Sequence, residues 1–314
     1  MRDAFTRSLM AAAAKDPELV LITGDLGFGV LKPFWETYPR QFINAGIAEQ
    51  SMTGMAAGLA REGRRVITYS IGNFPTIRCL EQIRNDCAYH NLPVKIVCVG
   101  GGFVYGSLGM SHHATEDMAV MRALPGVTVF TPGDPHEVDA VVPVMLDTPG
   151  TCYLRLGRGG EPLVHPGPVS SWRMPQALTL REGRDVALLS AGGILTQTMD
   201  AARRLEEMGI SAAVVSFPVI KPIDAPAIAR LMMKFRHVVT VEEHTVVGGF
   251  GSAVCEVAAG LGVGCQVHRM GMADQYAAVV GDQQHLRHTY GLDGEGIARQ
   301  TALWLQYDAE LQLT

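Results

Sequence analysis

Short Val- and Ile-rich runs, each closed by Gly, Pro, Asn or Asp, alternate with stretches of helical periodicity along nearly all of the 314 residues. That alternation is the tightest limit on the fold. Runs at 19–23, 41–44, 65–69, 94–99, 127–130 and 151–156 read as strands, with helical patterns at 3–15, 47–61, 76–90, 116–123 and 135–146 between them. Asp134 can cap the last of these helices and Pro135 fits its first turn. Strands separated by helices of roughly 10 to 15 residues pair in parallel, in a sheet covered on both faces.

The periodicity lapses from 157 to 183, where GRGGEPLVHPGPVSSWRMPQ carries four prolines. This segment reads as a linker crossing the surface. A second alternation follows, with strands at 186–190, 212–217, 237–242 and near 266–270, and helices at 194–208, 225–233, near 251–261 and at the end of the chain. The expected fold class is therefore α/β, in two domains, each a mostly parallel sheet flanked by helices. The expected limits are 1–160 for the first domain, 161–184 for the linker and 185–314 for the second.

Composition narrows the function. A formal net charge of -5 argues against a nucleic-acid or anionic-membrane binder, which would carry a basic excess. No apolar run reaches the roughly 18 residues of a membrane span. An acid follows immediately in Met1-Arg2-Asp3, where a signal peptide would be basic and then apolar. The six cysteines show no C-x-x-C spacing and read as reduced thiols of a cytoplasmic protein.

Ligands of open parallel sheets bind beyond the carboxyl ends of strands. Four such turns stand out, at 44–50, 69–74, 100–106 and 155–160. In the first, Glu49 opens a helix whose body is apolar or small. An acid in a first turn is favourable by about 0.3–1 kcal/mol and needs no function. Yet Gly54, Ala56, Ala57 and Gly58 offer a small-residue face for close approach by another helix, which would bury Glu49. A buried carboxylate can hold or hand over a proton near neutrality.

The string FINAGIAEQ, followed by MTGMAAGLAREG, resembles the pyrimidine-binding domain of the transketolase family of thiamine diphosphate enzymes. So do VITYSIGNFPTIRCLEQIRND, GMSHHATED, PGVTVFTPGDP and YLRLGR, in that order, while VVTVEEHTVVGGFGSAVCE resembles the family's C-terminal domain. The resemblance covers about residues 19 to 285 and implies specific roles. The cofactor must lose a proton from its thiazolium carbon, and a carboxylic acid against the far nitrogen of the aminopyrimidine enables this; here that acid would be Glu49. Phe74 or Tyr69 would wall the aminopyrimidine, although core packing is the competing reading for either ring. Ile47 and Arg78 would also line the cofactor. His112 would contact the donor sugar and share in catalysis, with His113 beside it, and Arg158 would bind a substrate anion, where a guanidinium fork suits a dianion.

His112 and His113, with Glu116 and Asp117 following, do not make a metal site, because the two acids more simply charge a helix N-terminus. No G-D-G occurs in the chain, and neither Gly24-Asp25-Leu26 nor Gly281-Asp282-Gln283 supplies it. In full-length relatives G-D-G and a later Asn hold the diphosphate and Mg2+. The resemblance therefore implies the C-terminal subunit of a split transketolase, with the diphosphate and Mg2+ held mainly by an N-terminal partner subunit carrying G-D-G and Asn. Two such chains with two partners are expected, since two-fold assemblies are the commonest.

The sequence departs from the family pattern at two positions. An Asp of the family is Leu108 here, and a phosphate-contacting His is Gly100. An anionic sugar outside the usual pentose phosphates is the substrate this implies. Glu242, Glu243 and His244 read as structural, and His285 and His288 have no assigned role. The competing readings are the beta subunit of a 2-oxoacid or acetoin dehydrogenase, and a non-catalytic flavodoxin-like binding module.

Overall fold

The computed structural model describes residues 1–262 and 264–311. Among the described residues twelve strands divide between two sheets: β1 (Leu19–Thr23), β2 (Phe42–Asn44), β3 (Arg65–Ile71), β4 (Val94–Val99), β5 (Thr128–Phe130), β6 (Cys152–Leu156), β7 (Leu178–Arg181), β8 (Val186–Ala191), β9 (Ala212–Ser216), β10 (Val219–Lys221), β11 (His237–Thr245) and β12 (Gln266–Met272). The first sheet has the order β10-β5-β6-β4-β3-β1-β2 and the second β12-β11-β8-β9-β7. Every pairing is parallel except the edge pairs β10/β5 and β7/β9.

The continuous apolar strands follow from burial on both faces. In β1, Val20 and Ile22 pack into one core cluster while Leu19 and Leu21 pack into another on the opposite face. β4 divides in the same way, Ile96 and Cys98 against Val97 and Val99. This is the signature of parallel strands under helices on both sides.

Three departures from the expected pattern concern the sheets and the border of the site. β7 falls inside the segment read as linker, where it extends the second sheet by pairing with Ala212–Ser216. β10 crosses to the first sheet and covers the edge of β5, a pairing across sequence that local periodicity does not reveal. The expected helix at 76–90 is broken into a 3₁₀ turn, Ile77–Cys79, a single α turn, Leu80–Gln82, and a π-helical stretch, Ile83–Ala88. Such irregular turns gather where a backbone is bent around a site.

The two halves share a core. Phe217 and Phe250 of the second half meet at 5.2 Å between ring centroids, in the same cluster as Met118 and Met121 of the first. Among the described residues no helix is long and apolar enough to cross a membrane. All six cysteines are free, four of them buried.

Candidate active site

The chain leaves β1 for β2 on one side and β3 for β4 on the other, so the sheet reverses its winding between β1 and β3. Side chains following those strands converge there. Gly46, with φ +72, turns the backbone from β2 into the helix Glu49–Arg61. Glu49 is that helix's first residue and is 3% exposed. The bare face of Gly24 lets the chain after β1 lie against it: a Cβ there would stand 3.4 Å from Glu49 Cγ.

Arg78 Nη1 donates to Glu49 Oε2 at 2.9 Å, and Gln50 Nε2 donates to the Arg78 carbonyl at 3.2 Å. The Arg78 guanidinium carbon lies 4.4 Å from the Phe74 ring centroid, in cation–π range. Phe74 in turn meets the edge of the His112 ring at 5.1 Å. Asn73 Nδ2 donates to the His113 carbonyl and ties the two loops together. Glu49, Arg78, Phe74 and His112 are thus one continuous set of contacts. Ile47 stands at its rim, 79% exposed.

Two expected site residues lie elsewhere. Tyr69 is 1% exposed and stacks on Phe5 at 5.9 Å, so it belongs to the core and does not wall a ligand. Desolvation raises its phenol pKa strongly. The half-buried ring is that of Phe74. His113 is also core: it is 1% exposed, its Nε2 lies 3.3 Å from the Gly106 carbonyl, and its ring meets Phe103 edge-on. The small-residue face is also corrected. Ala56 and Ala57 point inward, while only Gly54 and Gly58, four residues apart, face outward with open space around them.

Arg158 stands apart from the Glu49 set, on the glycine-rich turn after β6, exposed and 5.9 Å from the Tyr105 ring centroid. Beside it a cavity of about 450 Å³ separates the two sheets' strand ends, with Arg155, Glu243 and Arg287 in its wall.

These last residues belong to a buried network that sequence reasoning missed. Arg155 donates to Asp117 Oδ2 at 2.8 Å and to the carbonyls of Ala114 and Glu243, and the Tyr153 hydroxyl donates to the same Asp117 oxygen at 2.5 Å. Glu243 accepts from the Phe103 amide, Gln283 and Arg287. Asp117 therefore does more than charge a helix end. The signal was present in YLRL, where a lone cation in an apolar strand requires a buried partner.

Glu242 accepts the amides of Phe250 and Gly251 at the start of the helix Phe250–Ala259, and burial pushes its carboxyl pKa up to about 7. Burial pushes His244 down to about 4; its Nδ1 is 2.7 Å from the Thr245 carbonyl and its Nε2 accepts from Ala119. His285 and His288 serve a short helix, whose Asp282 cap accepts from the His285 amide, while His288 pairs with Asp293 at 2.7 Å. Among the described residues no group of three or more His, Cys, Asp or Glu side chains could hold a metal ion.

The Glu49 set suits one kind of ligand. A buried acid with no hydrogen bond among the described residues at its second oxygen, Oε1, offers that oxygen to a ring nitrogen across a shared proton. The adjacent Phe74 supplies an aromatic wall. An aminopyrimidine fits these residues.

The chain matches the family model "Transketolase, pyrimidine binding domain" over residues 1–161 and "Transketolase, C-terminal domain" over 175–297. It is 36% identical over 303 residues to one subunit of the apulose-4-phosphate transketolase of Phocaeicola vulgatus, a match covering 96% of each chain. It is 35% identical to the 6-deoxy-6-sulfo-D-fructose transketolase subunit SqwH of a Clostridium species, across 95% of this chain and 92% of that one. A solved split-gene transketolase, described as an inactive beta4 tetramer, superposes with a TM-score of 0.87 at 35% identity, covering 97% of this chain and 98% of that one.

Proposed function

We propose a function from one premise: the chain belongs to the transketolase family. It acts as the C-terminal subunit of a split transketolase. With an N-terminal partner carrying the G-D-G and Asn residues, it transfers a two-carbon ketol unit from a ketose to an aldose. The observation carrying this reading is the Glu49–Arg78–Phe74–His112 set at the carboxyl end of the first sheet. The names of the subunits it matches along nearly their whole length favour ketol transfer over the dehydrogenase reading. Residues 1–160 form the cofactor-binding unit, and the supporting one, expected from 185, takes in β7 as well; a cytoplasmic location accords with this role.

Thiamine diphosphate would lie with its aminopyrimidine between Glu49 and Phe74, and its diphosphate with Mg2+ on the partner. Bound there, it would supply an acidic ring carbon able to serve as nucleophile toward a ketose carbonyl. Glu49 would hold the ring nitrogen through a hydrogen bond and share the proton that favours loss of a proton from the neighbouring amino group. Arg78 fixes the carboxylate in place, and the low exposure of Glu49 excludes water from that bond. His112, against Phe74, presents its imidazole to the donor's hydroxyls or carbonyl. Arg158 grips the sugar's distal anion, and Leu108, 55% exposed, replaces a polar contact with an apolar one. Two chains of this kind join two partners, packed through the open Gly54–Gly58 face.

The test is reconstitution. The purified chain alone should bind thiamine diphosphate weakly and transfer no ketol unit, and adding the partner should restore both. Robust transfer by this chain, free of partner by mass spectrometry, would refute the split-enzyme reading.

A further inference from the structure

Gly100 closes β4 with φ +93, a backbone conformation in which a side chain is strained. A Cβ built on it would stand 2.3 Å from both Cδ2 and Cε2 of Tyr105. The Tyr105 ring therefore fills the space that a side chain at position 100 would occupy. Residues 100 and 105 act as a pair: the glycine makes the room and the tyrosine takes it.

The surroundings of that ring are cationic. The Arg158 guanidinium carbon lies 5.9 Å from its centroid. The Arg2 amide donates to the Arg158 carbonyl at 3.1 Å, and a Cβ on Gly159 would stand 3.4 Å from Arg2 Nη2, so a second guanidinium borders the same turn. Burial raises the phenol's pKa, and Arg158 and Arg2 oppose it. The residue is half-buried, and among the described residues no hydrogen bond reaches its hydroxyl.

We propose that Tyr105 is a specificity-determining residue whose hydroxyl donates a hydrogen bond to the distal phosphate or sulfonate of the sugar held at Arg158. With no partner among the described residues at its hydroxyl and the Arg158 guanidinium over its ring, the phenol is free to donate to an anion that the guanidinium draws there. The proposal rests on the reading of Arg158 as the anion contact. It adds a neutral donor, whose own charge does not change across the range in which an imidazole would titrate.

Tyr105→Phe removes only the hydroxyl and keeps the ring over Gly100. In the assembled enzyme, the ratio of kcat/KM for a phosphorylated sugar to that for an uncharged ketose should fall about 5- to 20-fold. The loss should lie mainly in KM. An unchanged ratio would overturn the proposal while leaving ketol transfer in place. In parallel, inorganic phosphate is titrated onto the full chain and followed by phosphorus NMR line broadening. Weaker binding by Tyr105→Phe supports the contact even if no ketol transfer is found, and equal binding overturns it.

Discussion

Arg78 Nη1 lies 2.9 Å from Glu49 Oε2, a pair in which the acid is 4% and the guanidinium 47% exposed. The acid heads its own helix, while the cation reaches it from another segment, against the Phe74 ring. The pairing makes Glu49 a positioned group, and Glu49→Gln should slow cofactor-proton exchange in the assembled enzyme by about 10²- to 10⁴-fold. Arg78→Ala should cost less, on the order of 10-fold, because the carboxylate remains but is less well oriented. Hydrogen–deuterium exchange at the cofactor's ring carbon reads both, with circular dichroism confirming the fold. Unchanged exchange in Glu49→Gln would return the acid to a helix-terminal role.

Arg158 binds an anion through a fork in the proposed mechanism. Arg158→Ala should raise KM for an anionic sugar about 10-fold or more, and Arg158→Lys should recover only part of that, since an ammonium is a point charge. Steady-state kinetics with phosphorylated and uncharged donors separates the effect. Equal KM values in wild type and Arg158→Ala would remove this residue from the site.

The helix Glu49–Arg61 shows Gly54 and Gly58 on its open face. Replacing both by leucine should raise the chain's own thermal stability, because each glycine in a helix interior costs about 1 kcal/mol. The same change should block close approach of a second helix. Light scattering should then show the reconstituted complex falling from about four chains to a smaller species. Retention of the full assembly would place the contact elsewhere.

Glu242 and His244 give a pH dependence that their opposite shifts conceal. Glu242 keeps its proton in the native state up to about pH 7, whereas the usual value is 4.5, so its contribution to stability is lost as pH rises through that window. His244 stays neutral in the native state down to about pH 4, against a usual 6.5, so its contribution is lost as pH falls. Between about pH 4.5 and 6.5 the two slopes offset each other. Glu242→Gln should expose the His244 slope, with stability rising by up to about 1.4 kcal/mol per pH unit across that interval. Urea midpoints at three pH values check this, and a flat profile in the variant would show that His244 titrates normally in the fold.

The strand–helix alternation was legible because burial on both faces of a parallel sheet writes itself into local composition. The runs at 19–23 and 94–99 are observed as β1 and β4 with the same limits. Glu49 and Phe74 were legible as candidates through GIAEQ and SIGNF, since strand ends are where such sheets meet ligands. The inward or outward aim of a residue was not. Tyr69 and His113 looked as available as Phe74 and His112, and only packing consigned the first pair to the core.

The sequence by itself determined most of the strands and helices, their order and the acid at the head of one helix, because each is set by interactions a few residues apart. Tertiary structure decided the rest. The Glu49–Arg78 pair, the filling of Gly100's space by Tyr105, the β10 strand on the first sheet and the Asp117–Arg155 network all join segments brought together by folding. A local pattern records which face a residue can bury, but the partner it meets is fixed by how the layers close, and that is a property of the whole chain.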